Sequence, residues 1–523
     1  MAGPGYFIST TIPYVNARPH LGHVLEYVQT DCFARWHRLQ GDDVFSLTGS
    51  DENSLKNVLA AESEGLTVEA FVDRNVGYFT EMKAALNLSY DHFIRTSTDP
   101  LHVAGATKMW RALEARGDIY TQSYEGLYCV GCEQFYTEDE LNLGLCPDHG
   151  TRPELVQEEN HFFRLSKYAP QLVEVIGSSR MAIVPEGRRN EVIAFLQGGV
   201  RDISISRSQS RAHGWGIPVP GDDRQVMYVW IDALTNYINA VGYASEDDRW
   251  RRYWGGASAR VHALGKGVIR FHAVYWPAML LAAGVPLPTL LFVHEYITIA
   301  GGKMSKSHGV QVDPGALVER YGTDSVRHFL LSEMTMTQDL DFSEERLIDR
   351  HNTDLANGLG NLLNRTINMI IRYRGGVVPA PGPRRPLDGE VVAVAAAVHA
   401  GVTEAMRGYD PRQALESVWE LVRRSNKYIE ESAPWTLAAA TGDADAQERL
   451  DTVLHTVVEA LRHIALELRP FIPGTAEAMV RQMGMRISGD DNGDTTWGSS
   501  LAGTTVPAPE PMFPRITAGS LGQ

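Results

Sequence analysis

Residues 7–12 form an apolar, β-branched run, and from Leu25 the apolar residues recur at helical spacing, as Leu25, Val28, Cys32, Trp36 and Leu39, until Gly41 offers a stop. Residues 44–47 predict the next strand, so the chain opens as a β-turn-helix-β unit. Helical patterns over 66–86 and 99–116 supply crossovers. Residues 158–166 predict a strand edge leading into a helix, 202–207 alternate as a strand, and 226–231 read as a buried strand running into a helix from Trp230. A glycine turn at Gly265 starts another helix, 290–299 predict a strand, and 314–320 a short helix. From Arg346 the period is helical, over 357–374, 390–406, 411–430 and 444–468, with 379–386 the clearest linker.

Chemistry gathers at the punctuation. The stretch Pro13-Tyr14-Val15-Asn16-Ala17-Arg18-Pro19-His20-Leu21-Gly22-His23 lies where the first strand hands over to the first helix. Amide groups at a helix start carry partial positive charge and suit an anion, and Gly22 lets a flat group approach the backbone. Taken alone, H-x-G-H is equally two surface histidines near a turn. Far downstream, Lys303-Met304-Ser305-Lys306-Ser307 stands between Gly301-Gly302 and Gly309, two lysines and two hydroxyls on a short loop that can clamp phosphate. Asp51, in a polar turn where the second strand ends, suits an ammonium group; by itself it reads as the cap of the following helix.

Three of the four cysteines fall in Cys129-x2-Cys132-x13-Cys146-x2-His149. Three thiolates and one imidazole form a closed tetrahedral set, so the spacing predicts one structural zinc ion, not disulfides. Cys32 sits on the apolar stripe of the first helix as a core residue. The chain of 523 residues allows two to four domains, and its start has neither a basic n-region nor a long apolar h-region, which predicts a cytoplasmic protein without a membrane span. A net charge of −16 argues against a generally nucleic-acid-binding surface but permits local basic patches such as Arg423, Arg424 and Lys427.

With the histidine stretch and the lysine loop in this order, the sequence resembles the class I aminoacyl-tRNA synthetases. Thr11-Ile12-Pro13-Tyr14, the single cysteine knuckle, Trp230-Ile231-Asp232-Ala233-Leu234-Thr235-Asn236-Tyr237 and the segment from Gly265 to Trp276 narrow the resemblance to the methionyl-tRNA synthetases, over residues 6 to about 515. The fold so implied is α/β: a Rossmann-type doubly wound parallel-sheet catalytic domain with a zinc-binding insertion, followed by an all-α anticodon-binding bundle. Its expected parts are a first Rossmann half over 1–115, the insertion over 116–225, a second half over 226–295, the lysine loop and stem-contact connection over 296–350, the helical domain over 351–515 and a tail over 516–523.

The resemblance implies ATP-dependent attachment of L-methionine to tRNA(Met) through methionyl-adenylate. His20, His23, Lys303 and Lys306 are the implied catalytic residues, and Asn16, Gly22, Met304, Ser305 and Ser307 complete the ATP site, with Mg²⁺. The implied methionine pocket comprises Ile12, Tyr14, Asp51, Trp230, Ala233, Leu234, Tyr237, Val268, Phe271, His272 and Trp276, in which a hydroxyl or imidazole can bond the sulfur. Without the resemblance, the aromatic residues among these read as core. Asn361, Arg365 and Trp435 match anticodon-reading positions, although Trp435 alone is equally a helix-cap packing residue. The ending predicts a monomer. Three positions depart from the family pattern: Asn53 where histidine is usual, Gly267 where aspartate is frequent, and Glu295 where glycine is common. Two other readings stay open, a class I synthetase for an aliphatic amino acid or cysteine, and a zinc-containing tRNA-binding accessory protein.

Overall fold

The computed structural model describes residues 3–129, 131, 134–147, 150–299, 302–303, 312–485, 496–498 and 501–517. Contacts divide the chain into two units, Met1–Glu26, Asp43–Lys83 and Ser89–His294 in one, and Tyr27–Asp42, Ala84–Leu88 and Glu295–Gln523 in the other.

The first unit is built on six strands, β1 (Gly5–Ser9), β2 (Asp43–Ser50), β3 (His92–Arg95), β4 (Ala182–Val184), β5 (Ala259–Gly265) and β6 (Leu290–His294). They lie in the order β3-β2-β1-β5-β6-β4, and every pairing is parallel. A parallel sheet covered on both faces needs near-continuous apolar strands, and Phe7, Ile8, Ala263, Leu264, Leu291 and Val293 are all fully buried. The strand order reverses between β1 and β5, the place where such sheets open a crevice at their carboxyl ends.

Three local expectations are corrected. Residues 202–207 are not one strand, because Ile205 donates its amide to His161 and accepts from the Tyr228 amide, and so bridges two sheets. Ile203–Ser204 joins the sheet of Ile119–Cys129, Gln134–Tyr136 and Glu154–Phe163, while Ser206–Ser208 pairs with Asp222–Met227. The strand expected over 226–231 accordingly ends at Met227, and the helix Val229–Leu234 begins two residues on. Residues 290–299 are two strands: β6 ends at His294, and Ile297–Ile299, in the second unit, pairs with Leu340–Phe342 and with Gly302–Lys303. Two strands appear where none was expected, β5 and β4, the latter from within the segment assigned to the insertion.

In the second unit the helix Ala444–Leu468 is buried along most of its length. Pro386–Arg407 and Pro411–Ser432 pack against each other and against it. Their polar contacts are paired: the buried Asp388 carboxylate receives both Arg449 amino groups, at 2.6 and 2.8 Å, and the Tyr428 hydroxyl. Pro386–Arg407 is the one helix among the described residues long and apolar enough to cross a membrane by composition, yet Asp388 and its packing mark it as a bundle helix. Arg327 is fully buried, bonding Asp31 and the carbonyls of Leu86, Pro470 and Phe471.

Candidate active site

The helix α1 (Leu21–Leu39) starts one residue after His20, which accepts the first helical bonds from His23 and Val24. The rings of His20 and His23 stack with centroids 3.7 Å apart and an interplanar angle of 15°. His20 Nδ1 accepts from the Gly22 amide at 3.1 Å, and His23 Nδ1 accepts from the His20 amide at 3.2 Å. An accepting Nδ1 leaves the proton of a neutral imidazole on Nε2, so each ring is set as an Nε2–H donor. Burial, reinforced by the neighbouring His20 and His294, holds the His23 pKa well below the usual histidine value, which keeps that ring neutral. A Cβ at Gly22 would come within 2.9 Å of the His20 ring, so this glycine makes room for the stack itself.

Beyond the ends of β1 and β2 the backbone is pinned in steps. Thr10 donates its amide to Leu47 at 3.1 Å, Asp51 donates its amide to Pro13 at 2.9 Å, and Tyr14 and Asp51 form one further parallel bridge. Asp51 is buried beside Tyr14. It does not cap the next helix: that role falls to Ser54, whose hydroxyl accepts from the Lys56 amide at 3.0 Å. The adjacent Glu52 is consumed structurally, by Ser50, Ser97 and two nitrogens of Arg95.

Opposite this loop, the helix Val229–Leu234 and a helical run beginning after β5 bring the expected aromatic residues together. Trp230 stacks face to face on Phe271, with centroids 3.8 Å apart and planes 8° from parallel, and Tyr14 meets Trp230 edge-on at 6.2 Å. Phe271 and His272 lie on a wide π-type turn, Phe271–Tyr275. His272 Nδ1 donates to the Val268 carbonyl at 2.9 Å, because that oxygen can only accept. Burial pushes the His272 pKa down to about 4, so the ring is neutral and its Nε2 accepts the Tyr237 hydroxyl proton at 2.7 Å. Both protons are therefore committed within the protein in this arrangement. Trp276 donates to His262 Nε2 at 3.3 Å, and His262 Nδ1 in turn faces Ser9 Oγ at 2.8 Å. Ala233 and Leu234 are buried on the same helix, and Ile12 and Val268 pack against the cluster.

The three departures sit in distinct surroundings. Asn53 Nδ2 reaches Asp232 Oδ2 at 3.2 Å and the Thr96 carbonyl at 3.3 Å, Gly267 is exposed in the turn after β5, and Glu295 is buried.

Elsewhere, Cys129 and Cys146 are buried together with Tyr136 in a small core of their own, unbridged. Cys132 and His149 lie outside the described residues, as do Met304, Ser305, Lys306, Ser307 and the Lys303 side chain. The backbone of Lys303 pairs with Thr298 in an antiparallel ladder. Cys32 is a core residue whose thiol burial pushes up. In the second unit Arg365 is held by Glu430 at 2.7 Å, Asn361 is exposed, and Trp435 is 44% exposed, so it is not a buried cap.

Sequence reasoning passed over Glu26 and His262. Glu26 follows His23 by three residues, the spacing that places both on one helix face, and that was its available signal. His262 gave none, since β5 itself was not expected.

Two family models match the chain: class I tRNA synthetases (M) over residues 6–152 and 148–367, and the anticodon binding domain of methionyl tRNA ligase over residues 378–522. The methionine–tRNA ligase of Caldanaerobacter subterraneus subsp. tengcongensis is 44% identical, covering 98% of this chain and 79% of that one. That of Mesorhizobium japonicum is 42% identical over 98% of both. The Mycobacterium tuberculosis methionyl-tRNA synthetase structure bound by methionyl-adenylate matches with a TM-score of 0.92 at 40% identity, covering 98% of this chain and all of that one. Its apo form matches at 0.87. The chain thus belongs to the class I methionyl-tRNA synthetases and is a methionine–tRNA ligase.

Proposed function

We propose that the aromatic cluster after β5 and the loop after β1 form the methionine site, and that the histidine pair at the start of α1 serves ATP. The observation that carries this reading is the Trp230–Phe271 stack, ringed by Tyr14 and His272, on the segments that follow the carboxyl ends of β1 and β5. A polarizable thioether gains about 0.3–1.5 kcal/mol from each aromatic contact. Ile12, Ala233, Leu234, Tyr237, Val268 and Trp276 complete the walls, and Asp51 with the Ile12 carbonyl receives the ammonium.

Methionine's carboxylate is ionised at neutral pH, so activation needs no general base. The protein's task is in-line placement of that carboxylate against the α-phosphate and neutralisation of charge in the pentavalent transition state. His20 and His23 supply neutral Nε2–H donors, Asn16 assists, Gly22 underlies the adenine, and Lys303 and Lys306, with Met304, Ser305 and Ser307, close on the pyrophosphate, which arrives with Mg²⁺. Attack on the adenylate carbonyl by the 2′-OH of the terminal tRNA ribose then releases AMP. Asn361, Arg365 and Trp435 read anticodon bases, Trp435 by stacking.

Cys129 and Cys146, buried in one small core without a disulfide, fit a structural zinc ion completed by Cys132 and His149. Bound zinc would tie the two knuckle turns together and take no part in the reaction. Metal content and thermal unfolding before and after chelation test this directly. The domain order given above, with Ala182–Val184 returned from the insertion to the catalytic sheet, a monomeric state and a cytoplasmic location belong to the same reading.

The deciding experiment is amino-acid-dependent exchange of labelled pyrophosphate into ATP, run without tRNA across all twenty amino acids. Exchange with methionine alone is the expected result. Exchange with a different amino acid, or none from folded and zinc-loaded protein, overturns the site reading.

A further inference from the structure

Glu26 is an acidic side chain on the inward face of α1 that the mechanism above does not use, and it is 91% withdrawn from solvent. One carboxylate oxygen accepts both the amide and the hydroxyl of Thr11, each at 2.6 Å, and the other faces His294 Nε2 at 2.9 Å. These contacts join three pieces of backbone: the loop after β1, the helix that carries the histidine pair, and the end of β6. A buried carboxylate costs stability unless it is bonded, and here short charge-assisted bonds satisfy it.

What the carboxylate holds is the residue before Ile12. The Thr11 amide is fixed by Glu26 and the Thr11 carbonyl accepts the Thr10 hydroxyl at 2.7 Å, while two residues on the Pro13 carbonyl accepts the Asp51 amide. With both sides of Thr11 and the far side of Pro13 held, and Ile12 confined by the proline that follows it, the range open to the intervening Ile12 carbonyl is narrow. The same carboxylate also acts electrostatically on Tyr237 and His272 in the pocket wall.

We infer that Glu26 is a positioning residue for amino-acid recognition: through Thr11 it sets the direction of the Ile12 carbonyl that, with Asp51, grips the substrate ammonium. This rests on the pocket reading given above. The grip is present in the bound substrate and in the transition state alike, so its loss raises KM for methionine and leaves kcat nearly unchanged.

The test is steady-state pyrophosphate exchange by Glu26→Gln, Thr11→Val and Asp51→Asn proteins, with methionine and ATP varied separately. Glutamine keeps an acceptor for Thr11 but turns an N–H toward His294 and loses the charge. It is expected to raise the methionine KM about tenfold, with kcat and the ATP KM within about threefold of the parent. Thr11→Val keeps the amide bond and loses the hydroxyl, and is expected to raise the methionine KM by a smaller factor, less than additively with Glu26→Gln in the double variant. A general structural role would instead lower the active fraction, and so kcat, for both substrates. An unchanged methionine KM in folded Glu26→Gln, or an equal rise for ATP, overturns the inference. Should Glu26→Gln not fold, Thr11→Val decides by the same criterion. If Asp51→Asn also leaves the methionine KM unchanged, the pocket reading itself is at fault; if Asp51→Asn raises it and Glu26→Gln does not, only the role of Glu26 fails.

Discussion

The two surfaces assigned to recognition are built on opposite plans. Around Trp230 and Phe271 the rings are buried or half-buried, the histidines are neutral, and each identified proton on Tyr237, His272 and Trp276 has a fixed acceptor. On the helical unit Asn361 and Trp435 face solvent, and Arg365 is tied by an exposed carboxylate from Glu430. A pocket that is rigid in advance spares the protein's own ordering cost when a small amino acid binds. Splayed tRNA bases carry their own stacking surfaces and need only accessible partners; on the reading proposed above one of these, Arg365, has first to leave its ion pair.

Removing phosphate contacts should have the largest effect. His23→Ala and Lys306→Ala are each expected to lower the pyrophosphate-exchange rate about 10²–10³-fold with little change in methionine KM; full activity in purified Lys306→Ala would remove that lysine from the mechanism. Next comes acid. His272 has a folded pKa of about 4 against an ordinary value of 6.5, so below pH 6.5 the unfolded chain takes up a proton that the folded site refuses. This histidine therefore costs stability progressively as pH falls, about 1.4 kcal/mol per unit and about 3 kcal/mol in all by pH 4. Denaturant titrations of the parent and His272→Gln between pH 7 and pH 4 should show the parent's extra loss; parallel curves would argue against a buried neutral imidazole.

On the exposed surface smaller numbers apply. Trp435→Ala is expected to weaken tRNA charging by a stacking contribution of about 1–3 kcal/mol while leaving exchange without tRNA intact. A fall in both would place Trp435 among residues that hold the fold. Smallest of all is Glu430→Gln, which frees Arg365 from a surface ion pair worth about 0.2–1 kcal/mol. It should improve tRNA KM a few-fold at low salt and lose that advantage as salt is raised. No improvement at low salt would mean that Arg365 does not leave Glu430 to meet a base.

The sequence made legible those parts of the site in which chemistry and punctuation coincide. His20, Gly22 and His23 stand at a predicted strand-to-helix junction, and Asp51 at a predicted strand end, where loops carry function on a rigid sheet. Trp230 and Phe271 were ambiguous between pocket and core, and both descriptions hold, since each packs against the main core cluster. β5 was missed because Arg260 and His262 interrupt its apolar run, and His262 is buried only through its bonds to Trp276 and Ser9. Residues 290–299 misled because only a short polar break, at His294 and Glu295, separates two apolar, β-branched runs that join different sheets. Glu26 had only its spacing from His23 to mark it, because an acidic residue on a helix is ordinarily solvated, and its partners lie 15 and 268 residues away.

The pairing of Asp388 with Arg449 has a consequence for the order in which the protein is made. Arg449 follows Asp388 by 61 residues. At about 5–20 residues per second, the newly synthesised helix Pro386–Arg407 waits about 3–12 s before the guanidinium that satisfies its buried carboxylate has been added. During that interval an apolar 22-residue helix lacks the Ala444–Leu468 helix against which it packs. Nascent chains that stall or end between these positions carry an unfinished bundle, with apolar surface open to chaperones and proteases.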